Sequence, residues 1–323
     1  MPASIPGSAE DGPRPTLLIL RPLGLGDLLT AVPALKGLSE AFPDHRLVLA
    51  APLVLAPLAA LTGAVDEVVD TVALAPLATS LYAADAAVNL QGRGPQSHRV
   101  LLEARPGRLL SFANLEVRES ADGPQWQPEE HEVSRWCRLL EAYGIPADPD
   151  RLDLSLPPRP TLEPGRGTTL IHPGAADASR RWPADRWAAV ARAEHDAGRR
   201  VVVTGGEEEV DLARAVAGEA RLEDSAVYAG RTDLLDLASL VSVVDRVVCG
   251  DTGVAHLATA LGTPSVVLFG PTSPVLWGPP PERPWHRVLW AGKTGDPHSD
   301  KPDPGMLEVR VQHVIAALAR LPQ

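Results

Sequence analysis

Eight short apolar runs alternate with helical stretches along most of this chain, and that alternation limits its fold more than any other feature. In the first half TLLILR (16–21), RLVLA (46–50), DEVVDTV (66–72) and AAVNL (86–90) read as strands, with helices over 28–42 and around 130–143. In the second half TTLIH (168–172), RVVVTG (200–205), RVVCG (246–250) and PSVVLFG (264–270) are strand runs, with helices near 185–197, 207–217, 233–240 and 253–261. Strands apolar at nearly every position are covered on both faces, and strands interleaved with helices imply parallel, doubly wound α/β sheets. At 323 residues the chain exceeds one ordinary core, so two Rossmann-like units are expected. The expected division is a disordered lead-in at 1–15, a first domain at 16–150, a proline-rich linker at 151–166 and a second domain at 167–323. A C-terminal amphipathic helix, 309–321, has apolar residues at 311, 314, 315 and 318, buries one face, and is a candidate to pack back on the first domain.

Composition excludes several classes of function. The 45% hydrophobic and 22% charged residues suit a globular chain rather than wholesale disorder. Net charge is −11, with 13 basic against 20 acidic residues up to residue 160 and 17 against 21 after it. Neither half carries the basic excess that nucleic acid or an anionic membrane would select. Cys137 and Cys249 are far apart and in no paired spacing, which excludes a disulfide scaffold and fits a reducing cytoplasm. The lead-in has no apolar core of a signal peptide. Residues 47–65, LVLAAPLVLAPLAALTGAV, are uncharged and long enough for a membrane span, but Pro52, Pro57 and Gly63 break them into a buried strand, a turn and a core helix.

In a parallel sheet ligands bind beyond the carboxyl ends of the strands, so the strand-to-helix turns carry the chemistry. The first turn is Arg21-Pro22-Leu23-Gly24-Leu25-Gly26-Asp27; Leu29 at the third glycine position argues against a dinucleotide site. Asp27 suits a helix cap and a general base equally well. The turn at His172-Pro173-Gly174 leads to Arg180-Arg181, a pair suited to a phosphate-bearing ligand or simply to solvent. Thr204-Gly205-Gly206 precedes Glu207, Glu208 and Glu209, of which at least two serve the helix dipole by default. In Asp251-Thr252-Gly253-Val254-Ala255-His256 a helix N-terminus can offer bare amides to a diphosphate, or Asp251 and His256 can cap it and bond each other. No third ligand stands at metal spacing there, and Asp148-Pro149-Asp150 lies in the proline-rich stretch, so no metal site is expected.

Five segments together resemble the heptosyltransferase-like glycosyltransferases, family nine, of bacterial lipopolysaccharide core assembly. They are LGLGDLLTAVPALKGLSEAFP (23–43), NLQGRGPQSHRVLLEARPGRLLSF (89–112), HPGAADASRRWPADRW (172–187), VVTGGEEEVDLARAVAG (202–218) and CGDTGVAHLATALGTPSVVLFGPTSPVLWGP (249–279). The resemblance implies two domains facing across a cleft, the GT-B arrangement, with acceptor on the first and nucleotide sugar on the second. It implies inverting transfer with no metal and no cofactor, from ADP-heptose. Asp27 falls on the family's proposed base. Arg180 falls where members carry a lysine beside the diphosphate, and a planar fork is not interchangeable with a point charge. Glu207 matches a donor-contacting glutamate; Gly26, Gly174, Thr204, Gly205, Asp251, Thr252, Gly253 and His256 fall on the donor side, and Thr232 and Leu234 where the base would sit. Leu23, Gly24 and Leu25 stand where many members have a hydroxyl residue.

Acceptor-side candidates are Gln91, Arg93, His98 and Arg99. With Arg105 and Arg108 they form a locally basic stretch that suits either a phosphorylated acceptor or a solvated helix face. The expected partners are a nucleotide-sugar donor and a sugar-containing or small-molecule acceptor, with no nucleic acid and no transmembrane segment. A sugar-nucleotide epimerase or hydrolase, or a non-catalytic nucleotide-sugar binder, would use the same scaffold.

Overall fold

The apolar runs become strands wherever both faces are covered. The computed structural model describes residues 14–158 and 164–322, so the lead-in at 1–13 and five residues of the linker lie outside the described residues. The first sheet contains β1 (Thr16–Leu20), β2 (Arg46–Ala51), β3 (Glu67–Asp70), β4 (Ala86–Asn89) and β5 (Leu109–Leu110), in the order β3-β2-β1-β4-β5. Its helices are α1 (Leu25–Thr30), α2 (Val32–Ala41), α3 (Ala56–Leu61), α4 (Gln96–Glu103) and α5 (Glu132–Glu141). The second contains β6 (Thr168–His172), β7 (Arg200–Val203), β8 (Arg246–Gly250), β9 (Ser265–Phe269) and β10 (His286–Trp290), in the order β10-β9-β8-β6-β7. Its helices are α6 (Ala184–Asp196), α7 (Val210–Ala220), α8 (Leu234–Val243), α9 (Gly253–Leu261), α10 (Pro274–Trp277), α11 (Pro304–Glu308) and α12 (Val311–Leu318). All the pairings are parallel. Strand order reverses between β1 and β4 in one sheet and between β6 and β8 in the other, so each sheet opens a crevice at its switch point.

Alternate residues of each strand serve different cores. Leu17 and Ile19 face one apolar cluster and Leu18 and Leu20 another. In β8, Val247 and Cys249 join the same cluster as Leu17 and Ile19, whereas Val248 faces the far side of its own sheet. One core therefore runs continuously beneath both sheets, through α2, α3, α5, α8 and α9. The stretch at 47–65 forms β2, a turn at Pro52 and α3, and no helix among the described residues is long and apolar enough to cross a membrane.

Three features depart from the sequence reading. β5 and β10 are additional strands: β5 has two residues, and β10 opens on His286-Arg287, which hides its apolar half. The proline-rich connection is also not free: Leu154 N donates to Ala260 O and Ser155 N to Leu61 O, while Lys36 pairs with Asp153 at 3.0 Å. Finally, the C-terminal helix stays on the second sheet. Val314 and Leu318 of α12 pack against α6 and β9, because the apolar stripe on 311–318 meets the uncovered outer face there rather than the first domain.

Gly37 tests the packing between α2 and the chain leaving α5. A Cβ there would sit 2.5 Å from the Pro146 carbonyl oxygen, which is backbone and cannot step aside. Gly to Ala inside a helix ordinarily gains about 1 kcal/mol, whereas overpacking costs about 1–3 kcal/mol. Gly37→Ala should therefore lower the thermal midpoint by a few degrees despite its better propensity; a raised midpoint in a thermal melt would contradict this packing.

Candidate functional site

Arg21 follows β1 directly and is buried, so its charge has to be met inside the protein. Its Nε donates to Asp27 O at 2.7 Å, Nη1 to Leu90 O, and Nη2 to Thr30 Oγ1 at 3.2 Å and Glu132 Oε1 at 3.1 Å. These contacts shape the turn that starts α1. Asp27 Oδ2 accepts from Gly24 N at 3.1 Å, so Asp27 does cap its own helix. Its second oxygen, Oδ1, lies 3.6 Å from Arg21 Nη2, and the side chain keeps about a quarter of its exposure on the cleft. Burial pushes the Asp27 carboxyl above its ordinary value; the Arg21 guanidinium opposes that, and the Glu132 carboxylate adds to it.

Across from Asp27 stand the turns after β6, β8 and β9. Together the two sides enclose a cleft of about 850 Å³. Arg180 forms an ion pair with Asp177 at 2.7 Å and reaches Asp251 O with Nη1 at 3.5 Å. Thr252 opens α9 without capping it: its Oγ1 has no hydrogen-bond partner among the described residues, and this uncapped helix end, Thr252 and Gly253, lines the cleft. Burial pushes the Asp251 carboxyl up to about 6, against Arg180 and a hydrogen bond from Thr272. Desolvation lowers His256 to about 4, so its imidazole is neutral near pH 7, and it packs edge-on against Trp277. His172 is likewise lowered by burial, with Glu209 opposing; its Nδ1 meets Thr204 Oγ1 at 3.1 Å.

The two walls touch at glycines. A Cβ on Gly26 would lie 3.0 Å from His256 Cδ2, and one on Gly253 would lie 2.7 Å from Leu25 Cγ. Thus α1 and α9, from opposite halves, approach tip to tip, with the His256 and Leu25 side chains each seated on the other helix's glycine.

Of the residues singled out in the sequence, Gly26, Asp27, Arg180, Asp251, Thr252, Gly253 and His256 line this one cleft. Gly174 and Gly205 are not in the cleft lining but lie against Glu209, where added Cβ atoms would come within 1.9 Å and 2.9 Å of that side chain. Thr204 stands behind His172. The glutamate in the cleft is Glu209 rather than Glu207: the short 3-10 turn Glu207–Glu209 leaves Glu207 exposed and bends Glu209 inward, its Oε2 accepting from Gly206 N at 2.9 Å. Thr232 and Leu234, around the start of α8, are not in the cleft wall, and Asp251 and His256 make no bond to each other.

The acceptor-side candidates are not brought into the cleft. His98 is buried beneath Gly94 and lowered to about 4 by desolvation. Arg99 pairs with Glu116 at 3.0 Å, Arg93 is exposed, and Gln91 N bonds Asn89 Oδ1 on the β4 turn. Residues missed in the sequence are Glu129, Glu132 and the loop Thr294–His298, whose glycine and proline content was the available signal. Among the described residues, no group of three or more His, Cys, Asp or Glu side chains is arranged to hold a metal ion. A second cavity of about 770 Å³ shares His256 with the first and is walled by Val133, Leu152, Ala260, Pro279 and Arg287.

Asp251 has a readable stability signature. Its carboxyl stands near 6 folded against an ordinary 3.8, so the folded state holds the proton more tightly and the ionised form is a burden at neutral pH. A shift of about two units corresponds to about 3 kcal/mol. That burden fades as pH falls through about 6 and is gone below about 4. Asp251→Asn should therefore melt several degrees higher than the parent near neutral pH and lose that advantage near pH 4, in paired melting curves.

The family model for glycosyltransferase family 9 (heptosyltransferase) matches residues 113–303. Lipopolysaccharide heptosyltransferase 3 of Escherichia coli is 30% identical over 166 residues, 49% of this chain and 47% of the relative. Lipopolysaccharide core heptosyltransferase OpsX of Haemophilus influenzae is 25% identical over 184 residues, 54% of this chain and 50% of the relative. The matched region thus spans about half the length of these curated relatives. A family 9 glycosyltransferase from Veillonella parvula superposes with a TM-score of 0.76 at 18% identity, covering 95% of this chain and 97% of that one. The ADP-heptose lipopolysaccharide heptosyltransferase II of E. coli gives 0.76 at 20% identity, over 94% and 97%. At such identities the superpositions speak for the fold, which is the two-sheet GT-B arrangement. With its family model spanning more than half of the sequence, the chain belongs to glycosyltransferase family 9.

Proposed function

We propose that this chain transfers a heptose-type sugar from a nucleoside diphosphate donor, ADP-heptose, to an acceptor hydroxyl, with inversion at the anomeric carbon and Asp27 as general base. The observation that carries this reading is one cleft with a carboxylate on one wall, facing an arginine and an uncapped helix N-terminus on the other. The curated relatives with which the chain aligns are named heptosyltransferases, and one E. coli heptosyltransferase of the same fold was solved with ADP. The division of labour follows: the part around 16–150 presents the acceptor and the part around 167–323 holds the donor. The cytoplasm suits an enzyme with two free, buried thiols.

The reaction is a single displacement. Asp27 Oδ1 takes the acceptor O–H proton as that oxygen's electron pair forms the new bond to the anomeric carbon. The bond from that carbon to the diphosphate oxygen breaks on the opposite face. Charge then grows on the diphosphate, where Arg180, the first amides of α9 and the helix dipole meet it. Because these donors are already fixed, they act most strongly when the bond is breaking. The raised Asp27 carboxyl makes a better proton acceptor than an ordinary aspartate.

Thermal shift with ADP, UDP, GDP and dTDP tests the donor side: stabilisation is expected with ADP above the others, and no stabilisation by any of them would overturn the nucleotide reading. Asp27→Asn tests the base. Release of ADP from ADP-heptose, with a panel of sugar acceptors, should fall by on the order of 10²–10⁴ while ADP binding holds. Near-parental transfer by this variant would leave Asp27 as a helix cap alone, and consumption of ADP-heptose without acceptor would favour a hydrolase or epimerase.

A further inference from the structure

Arg21 is flanked by two carboxylates, and they are not equivalent. Glu132, buried at the start of α5, accepts from Arg21 Nη2 at 3.1 Å through Oε1. The same oxygen accepts from Trp136 Nε1 at 2.9 Å, and Oε2 is held by Arg135 Nη1. Arg135 Nη2 is anchored in turn by the carbonyls of Gln127, Pro128 and Glu130. The Trp136 ring lies under the Arg21 guanidinium, 4.7 Å from centroid to Cζ. Glu132 is therefore held in place by three donors. Asp27 Oδ1, by contrast, is 3.6 Å from the same Nη2 and makes no hydrogen bond to it.

We propose that Glu132 is a positioning residue for the transfer step: by engaging Arg21 it keeps that guanidinium from closing on Asp27, and so leaves Asp27 Oδ1 free to face the cleft and receive the acceptor's proton. This rests on the reading of Asp27 as the base. The geometry behind it is a division of one positive charge. Nη2 already serves Thr30 and Glu132, while Nε and Nη1 donate to the Asp27 and Leu90 carbonyls. Nη2, the nitrogen that lies 3.6 Å from Asp27 Oδ1, therefore has both of its N–H groups already engaged. Were the Glu132 charge removed, Asp27 would be the nearest anion to a buried arginine, and an arginine held inside a protein draws the nearest carboxylate into a tight pair.

Other charged or titratable groups surround Asp27 less closely. Glu129 and His131 stand on the loop before α5, and Arg180, Asp251 and His256 belong to the facing wall. Arg21 and Glu132 are the charged neighbours that shift the Asp27 carboxyl, in opposite directions. Replacing Glu132 by glutamine acts twice in the same sense: it removes the repulsion and releases Arg21.

The test is a carbon-13 titration of the Asp27 carboxyl in the full-length chain, with its resonance identified by its loss in Asp27→Asn. In the parent protein Asp27 should titrate above an ordinary aspartate. In Glu132→Gln, which keeps the side chain's size and its acceptor for Trp136, the midpoint should fall by about one unit. The acid limb of the transfer pH profile should move down with it, with kcat at neutral pH reduced several-fold and KM for the donor unchanged. An unmoved midpoint in a folded Glu132→Gln protein overturns the proposal. So does a parent Asp27 that titrates below the ordinary value, a measurement that needs no variant to fold. Because the titration involves no sugar, absence of transfer by the parent enzyme would count against the functional reading alone.

Discussion

The Arg21 guanidinium is the contact on which the first half depends. A buried charge is tolerated only when its hydrogen bonds are filled, and here they are filled by α1, by the chain leaving β4 and by α5. Three separate segments, α1, the chain leaving β4 and α5, are thereby tied to the end of β1 at one point, beside the turn that bears Asp27. An arginine suits this task because its fork has fixed directions, so each partner is placed by angle as well as by distance. A lysine would satisfy the charge and leave the turn free to rotate.

The second half meets this point with a different physical device. α9 begins on a threonine whose side chain does not cap it, and this end of the helix borders the cleft beside Arg180. The two walls are thus electrically opposite: a carboxylate that burial has made reluctant to ionise faces a helix end and an arginine that favour anions. Their separation is held by the core that runs beneath both sheets, reinforced where residues 154 and 155 bond α9 and α3. The connection between halves is therefore a structural seam as much as a linker.

The sequence revealed the sheets because their central strands are covered on both sides, which leaves unbroken runs such as TLLIL and SVVLF. It hid β10, where burial is partial and the strand opens on a histidine and an arginine. The turns that carry Asp27, Arg180 and Asp251 were legible because strand ends in a parallel sheet converge. The choice of Glu209 over Glu207 was not, since three consecutive glutamates are distinguished only by the short turn they themselves form. Nor was Glu132, whose partner is 111 residues away and belongs to no periodic pattern. For the C-terminal helix, the apolar stripe predicted a buried face without naming what would bury it. The basic stretch at 93–108 failed as an indicator of the site for a similar reason: charge in sequence does not say which way a helix faces, and His98 turned inward while Arg99 found Glu116.

The glycine contact between α1 and α9 has one more consequence. Where Gly26 meets His256 and Gly253 meets Leu25, the absence of a Cβ on either glycine sets how closely the walls approach, and the Gly253 Cα lies only 3.6 Å from where a Gly26 Cβ would be. It works as a fixed gauge: the reacting atoms of every substrate have to fit the same span between Asp27 and the tip of α9. Discrimination among sugars and acceptors must then be written along the cleft's margin, in the Thr272–Trp277 turn and the loop at 294–298, where residues can change without altering the gauge. Divergence in substrate and constancy of chemistry can thus occupy the same few hundred cubic ångströms without interfering with each other.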